Sequence, residues 1–380
     1  MKGRIALHEP VFAGNEWKYV KQCLDTGWVS SAGAFVVRFE ALAAERAGTR
    51  HAVACSTGTA ALHLALIAAG VEADDEVLVP SLTFIATANA PAYLGAHPRF
   101  VDAEEATFGM DPDKLERWLE AETVMRKGRA WTKKTGRRVS ACVPMHAFGH
   151  PARVDRLASM CRRRGIALIE DAAEALGTSY KGKPAGSFGL AGTLSYNGNK
   201  TITCGGGGMV VTNSATLARV ARHLSTQAKK NSKTYLHDAV GYNYRLPNLN
   251  AAVGCAQYEQ LDGFLRSKRA IAGRYRDALG GAAGLRLLWE PAGARSNFWL
   301  NTVVFDEPAR ARRALRALNA AGVEARPIWT PCHRQPMFAK LSAGTLEVTD
   351  RLWRTAFNLP SSSNLGPRET SAVSARLKKA

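Results

Sequence analysis

Residues 193–211 read TLSYNGNKTITCGGGGMVV. An apolar, strand-like run leads to a single charge, Lys200, and four consecutive glycines, 205–208, then open into a second apolar run. A lysine at a strand end ordinarily lays its stem on apolar surface and puts its ammonium in water. Four glycines in a row instead allow the backbone to approach closely beside the amine. A triphosphate-binding loop of the form GxxxxGK[ST] is excluded, because Asn199 stands between Gly198 and Lys200 and Gly192 lies one residue too far upstream.

Upstream of this stretch, short β-rich runs alternate with helical ones from His51 onward: HAVAC then AALHLALIAAG, DEVLVP then ATANAPAYLG, followed by PRFVDA, VSACVPM and, after helical RVDRLASMCRRRG, IALIEDA. TLSYN and GMVVTN add two more strands. Such alternation predicts an α/β domain with a largely parallel sheet. Downstream of Pro247, Leu249, Val253, Ala256, Leu261, Phe264, Ile271, Tyr275 and Leu279 keep helical spacing up to Gly280 and Gly281. The domain change is expected there, giving a large domain over 1–246 and a smaller α+β domain over 247–380.

Composition bounds the function. At 380 residues, with 46% hydrophobic and 22% charged side chains, the chain is an ordinary globular one of more than one domain. Its net charge of +19 makes polyanions or phosphorylated small molecules natural partners. The densest basic run, RKGRAWTKKTGRR at 126–138, holds one aromatic and reads as a solvated insertion between a helix and a strand. No helix-turn-helix, zinc-finger or RNP-type segment accompanies the charge, so a nucleic-acid-binding regulator is the weaker reading. Seven scattered cysteines without a CxxC pair predict neither a disulfide framework nor a metal site, and point to the cytoplasm. Neither a secretion signal nor a membrane span is expected, since no suitable apolar run is present.

Two further stretches belong with the lysine. In CSTGTAALHLAL the small residues 56–59 pass from strand HAVAC straight into a helix, which turns backbone amides and the positive helix end toward whatever lies above the strand. In IALIEDAAEALG an apolar strand ends in Glu170 and Asp171. Ligands of open α/β sheets bind beyond the carboxyl ends of the strands, which sets the acid near the same crevice. Amine, phosphate cradle and carboxylate on the strand-end loops of one sheet are the set that pyridoxal 5′-phosphate requires.

With these segments in view, the chain resembles, nearly end to end, the DegT/DnrJ/EryC1/StrS family of nucleotide-sugar aminotransferases. The resemblance is carried by GNEWKYVKQCLDTGWVSSAGAFVVRFE, STGTAALHLAL, PSLTFIATANA, IEDAAEALG, SYNGNKTITCGGGGM, GYNYRLPNLNAAVGCAQ and RPIWTPCHRQPMF. The wording of SYNGNKTITCGGGGM, QAK and RPIW is most similar to the legionaminic-acid branch, which aminates C4 of a 4-keto-6-deoxy nucleotide sugar. The resemblance implies fold type I, the aspartate aminotransferase-like architecture with a mixed, mostly parallel sheet, with pyridoxal phosphate as cofactor and glutamate as amino donor. It implies that Lys200 bonds to the coenzyme and shuttles the proton, and that Asp171 pairs with the pyridinium nitrogen. Thr57, Gly58, Thr59 and Ser195 match the phosphate shell and Phe84 the aromatic over the ring. Glu174 stands where many relatives carry His or Gln. Asn243 matches a residue that reaches the phosphate of the neighbouring subunit, which implies a homodimer with shared sites. Arg245, Trp329 and His333 are candidates for substrate contact, as are Trp28 and Ser30 in the loop GWVSSAG. A sugar dehydratase of the same fold is the nearest alternative, but such relatives replace the lysine with histidine.

Overall fold

The computed structural model describes residues 4–231, 234–339, 341 and 345–379. Strands β1 (His51–Cys55), β2 (Glu76–Pro80), β3 (His97–Val101), β4 (Val139–Cys142), β5 (Ala167–Asp171), β6 (Ala191–Ser195) and β7 (Gly208–Thr212) form one sheet in the order β1-β7-β6-β5-β4-β2-β3. Strand β7 runs antiparallel to both of its neighbours, and the remaining pairs are parallel. The expected mixed, mostly parallel sheet is therefore present.

A sheet covered on both faces needs apolar residues at successive positions, which is why these strands read as continuous apolar runs. Side chains still alternate between faces. Val53, Val77, Val79, Ile169 and Val210 share one core with helices α3 (Gly58–Ala68), α4 (Ala86–Tyr93) and α7 (Ala215–Ser225), whereas Ala52, Ala54, Leu194, Met209 and Val211 meet α2 (Ala34–Ala47) and α8 (Asn248–Leu279). Helices α5 (Pro112–Glu122) and α6 (Val154–Arg163) cover the far half of the sheet against Leu78, Val139, Cys142 and Leu168. Helix α1 (Glu16–Thr26) lies along α8.

A second, antiparallel sheet contains β8 (Leu285–Leu287), β9 (Asn301–Phe305), β10 (Arg326–Pro327) and β11 (Ala356–Leu359) in the order β8-β9-β11-β10. Helices α9 (Pro308–Ala320), α10 (Glu347–Thr355) and α11 (Pro367–Lys379) accompany it. Two pieces cross the division expected after residue 246. Ala251, Cys255 and Leu261 of α8 are buried with the large sheet, while Ile271, Tyr275 and Leu279 of the same helix are buried with the second. Ile5 also joins the second core, donating its N–H to the Gly322 carbonyl at 2.9 Å.

The basic segment 126–138 lies between α5 and β4 with most of its residues exposed, as expected of a solvated insertion. It forms a ribbon in which Thr123–Arg126 pairs with Arg129–Thr132, and its last residue, Arg138, clamps Asp75 and donates to the Gly70 carbonyl at 2.8 Å. Arg126, Lys127 and Arg129 at its tip are exposed.

Candidate active site

The carboxyl ends of β1, β5 and β6 come together because β7 enters the sheet between β1 and β6 from the opposite direction. Its first residue, Gly208, pairs with Cys55 on one side and Ser195 on the other. That closeness demands glycine. A Cβ on Gly208 would lie 2.1 Å from the Thr57 carbonyl oxygen, and one on Gly58 would lie 2.9 Å from Cβ of Ser195.

Thr57 caps α3, its side chain accepting the N–H of Ala60 at 3.0 Å. The first amides of α3 thus face the space above β1 and β6, with Thr57, Thr59 and Ser195 around it. A helix start of this kind attracts an anion through its unsatisfied N–H groups and its dipole.

Lys200 lies beyond β6 in a turn in which its N–H donates to the Asn197 carbonyl at 3.0 Å. The loop is pinned from several sides. Tyr196 shares a hydroxyl contact of 2.7 Å with Tyr258, Asn250 donates to the Cys204 carbonyl at 2.7 Å, and the Trp299 indole donates to the Asn199 carbonyl at 2.6 Å. The lysine amine stands 3.3 Å from Oε1 of Glu174 and 4.2 Å from the centre of the Trp299 ring.

Asp171, at the end of β5, is 6% exposed. Its carboxylate accepts the Thr87 hydroxyl at 2.8 Å and the Ala173 N–H at 3.1 Å. Glu174 accepts the Phe148 N–H at 2.9 Å. Burial pushes the Glu174 carboxyl up to about 7; the Lys200 ammonium and the Phe148 N–H oppose that shift, and the nearby Asp171 adds to it.

A carboxyl raised on folding stabilises the fold below its unfolded value and loses that contribution as pH rises through the folded value. The stability of coenzyme-free protein is therefore expected to fall between the ordinary carboxyl value of 4.5 and about 7. Glu174→Gln removes this dependence. Its stability relative to the parent should grow by on the order of 3 kcal/mol from low pH to pH above 7, read from chemical unfolding at each pH. Parallel stability curves for the two proteins would show that the carboxyl carries no such burden.

The walls of one cavity of about 460 Å³ include Thr57, Gly58, Thr59, Phe84, Asp171, Glu174, Ser195, Lys200 and Trp329. Phe84 is 51% exposed at its mouth, and Trp329 stacks on Phe148 with ring centres 4.3 Å apart. Five other candidates from the sequence lie outside these walls. Arg245 is 3.3 Å from Glu40, which also holds Arg222. His333 contacts the Ser81 hydroxyl at 2.7 Å and Asp350 at 3.3 Å. Trp28 and Ser30 offer their carbonyls to Asn248, and the Trp28 side chain is 60% exposed. Asn243, on an exposed arm, also lies outside.

Sequence reasoning does not single out Asn197, Asn199, Trp299, Arg326 and Asn358, which line the cavity as well. Arg326 begins the RPIW segment and was within reach; Asn358 lies on the second sheet and Trp299 just before its strand β9, and neither carries a local signal. Among the described residues no group of three His, Cys, Asp or Glu side chains is placed to hold a metal ion.

Comparison with known proteins agrees with this arrangement. The model of the DegT/DnrJ/EryC1/StrS aminotransferase family matches residues 11–378. The chain is 39% identical over 379 residues to GDP-perosamine synthase of Caulobacter vibrioides, covering 98% of this chain and 97% of that protein. It is 35% identical over 322 residues to UDP-N-acetyl-3-dehydro-alpha-D-glucosamine 3-aminotransferase of Acidithiobacillus ferrooxidans, covering 84% of this chain and 82% of that one. Among solved structures, DesI in the presence of its TDP-sugar product superposes with a TM-score of 0.89 at 28% identity, covering 100% of this chain and 93% of that one.

Aminotransferases of this family depend on pyridoxal 5′-phosphate. The site fits that group on its own chemistry: an anion cradle too tight for any Cβ at Gly58 and Gly208, with a primary amine and a buried carboxylate in the same walls. The chain belongs to the DegT/DnrJ/EryC1/StrS aminotransferase family.

Proposed function

We propose that this aminotransferase moves an amino group from glutamate to C4 of a 4-keto-6-deoxy sugar carried on a nucleotide. Its product would serve surface polysaccharide or nonulosonic acids such as legionaminic acid, and the cytoplasm is its place of work. The reading is carried by the joint presence of Lys200, Asp171 and the Thr57–Ser195 cradle in one cavity. Support for C4 comes from the similarity to GDP-perosamine synthase, since perosamine bears its amine at that carbon. The similarity to a 3-aminotransferase is what makes the position worth testing.

In this reading the coenzyme, when bound, supplies an electron sink for the carbon that exchanges its amine. The amides at the start of α3 with Thr57, Thr59 and Ser195 would hold its phosphate, Asp171 would pair with its ring nitrogen, and Phe84 would pack against its ring. Lys200 Nζ takes the proton from the α-carbon of the donor and delivers one to C4 of the sugar. Arg326, whose Nε donates to Glu324 at 3.0 Å, presents its remaining N–H groups at the cavity wall to a carboxylate of glutamate.

The protein works as a homodimer in this reading, with the partner subunit's Asn243 completing the phosphate shell. The exposed arm around Asn243, with Tyr235 92% and Val240 86% exposed, supports a surface that a second subunit covers.

Incubation with glutamate and a panel of UDP-, GDP- and TDP-linked 4-keto- and 3-keto-6-deoxy sugars tests the proposal. The expected product carries nitrogen at C4 by NMR and forms with release of 2-oxoglutarate. Amination of the 3-keto sugars alone would overturn the C4 assignment. A sedimentation mass of one chain at assay concentration would overturn the dimer.

A further inference from the structure

Lys200 reaches the cavity on a loop whose position is set from outside the large sheet. The contact comes from residues 297–299, just before β9. Trp299 is 4% exposed, donates its indole N–H to the Asn199 carbonyl at 2.6 Å, and presents its ring face 4.2 Å from the lysine amine. Both contacts fall on the same short piece of chain, one on its backbone and one on the side chain that follows.

The indole is itself held. Its backbone N–H donates to Oδ1 of Asn297 at 2.8 Å, and its carbonyl accepts from Lys268, a fully buried amine, at 3.2 Å. Asn297 in turn donates to the carbonyls of Glu174 at 2.8 Å and Leu176 at 2.9 Å, and to the Thr201 hydroxyl at 3.3 Å. One three-residue segment thus grips the backbone carrying Glu174 and the loop carrying Lys200 together.

An amine that both takes and returns a proton has to stay in one place while its charge changes. Both groups near Lys200 favour its charged state. The Glu174 carboxyl, 3.3 Å away, attracts the ammonium through charge, and the indole face attracts it through the ring quadrupole. The bond to the Asn199 carbonyl is indifferent to the charge of the lysine, so it holds the loop in either state.

We infer that Trp299 is a positioning residue for Lys200, fixing the loop through the Asn199 carbonyl and the amine through its ring face. The inference rests on Lys200 being the working amine. Trp299 lines the cavity, but in this role it acts through the lysine.

Two variants separate the contacts. Trp299→Phe keeps a ring face and removes the indole N–H, whereas Trp299→Leu removes both. The first readout is amide hydrogen exchange in coenzyme-free protein. Both variants are expected to raise exchange across residues 197–203 by about tenfold, with β5 and β6 unchanged, as for a local opening that leaves the fold intact. The second readout is a single turnover of loaded enzyme with glutamate alone, which does not depend on the sugar. Trp299→Leu should slow it by about 30-fold at saturating coenzyme with the donor half-saturation shifted less than about threefold, and Trp299→Phe by less than about fivefold.

Exchange across 197–203 within twofold of the parent in Trp299→Phe overturns the anchoring role, even where Trp299→Leu fails to fold. A slowing in Trp299→Leu that excess coenzyme fully restores overturns the positioning role, since the ring would then serve only coenzyme retention. Failure of the underlying reading looks different: Lys200→Ala would retain the glutamate turnover.

Discussion

Replacement of Lys200 by alanine is expected to abolish turnover, by at least about 10⁴-fold, while leaving the fold intact. The protein should also lose the yellow absorbance that borohydride bleaches, and should retain coenzyme only by non-covalent contacts. The rival for the covalent role is Lys268, a fully buried amine pushed down to about 7 by burial and thus reactive on that ground alone. Geometry decides against it. Lys268 is engaged by the carbonyls of Trp299 and Ser361 and by His8, and it does not line the cavity; Lys200 does. The fold should survive the loss of Lys200. The ammonium opposes the upward shift of Glu174, so its removal moves that carboxyl further up and favours its neutral form over a buried, unpaired charge. Peptide mapping after borohydride reduction of the parent checks the assignment. A coenzyme tag on Lys268, or normal transamination by Lys200→Ala, would sink it.

Asp171→Asn is expected to keep coenzyme and lose activity by about 10²- to 10³-fold, because an amide cannot hold a proton on the pyridine nitrogen and so cannot deepen the electron sink. The substitution nearly preserves shape. The Thr87 hydroxyl that donates to the carboxylate also contacts the Thr83 hydroxyl at 2.7 Å, so it can turn and accept from the amide instead. Loss of activity therefore reports the charge and not a collapsed loop, which a thermal melt within a few degrees of the parent would check. A single-turnover rate within about threefold of the parent, well under one kcal/mol in barrier, would mean that another group faces the nitrogen.

Much of this site is legible in the sequence. Strand ends carry their own signature: an apolar run that stops in Glu170 and Asp171, another that passes through small residues into a helix at Thr57, and a lysine followed by glycines. Each is a local pattern, and the rule that ligands of open α/β sheets bind beyond the strand carboxyl ends joins them whatever the strand order. The glycines at 58 and 208 have a reason that is not local. They are required because β7 inserts antiparallel between β1 and β6, a pairing between residues more than 140 positions apart that no window of sequence contains.

The amino-acid sequence by itself pointed to the fold class and the coenzyme chemistry and singled out Lys200, Asp171 and the Thr57 cradle as the groups proposed to carry it, because periodicity, strand-end chemistry and motif spacing are written in adjacent residues. Only the tertiary structure decided which groups surround the lysine. Glu174 lies 26 residues from Lys200 and Trp299 lies 99 away, and their contacts exist because two sheets pack around helix α8. It likewise decided that Arg245 and His333 meet acids outside the cavity walls, since whether a polar side chain faces a ligand or an acid depends on which side of its backbone that acid occupies. The raised carboxyl of Glu174 belongs to the same class: desolvation is a property of everything packed around a group, and the sequence names the group without naming its surroundings.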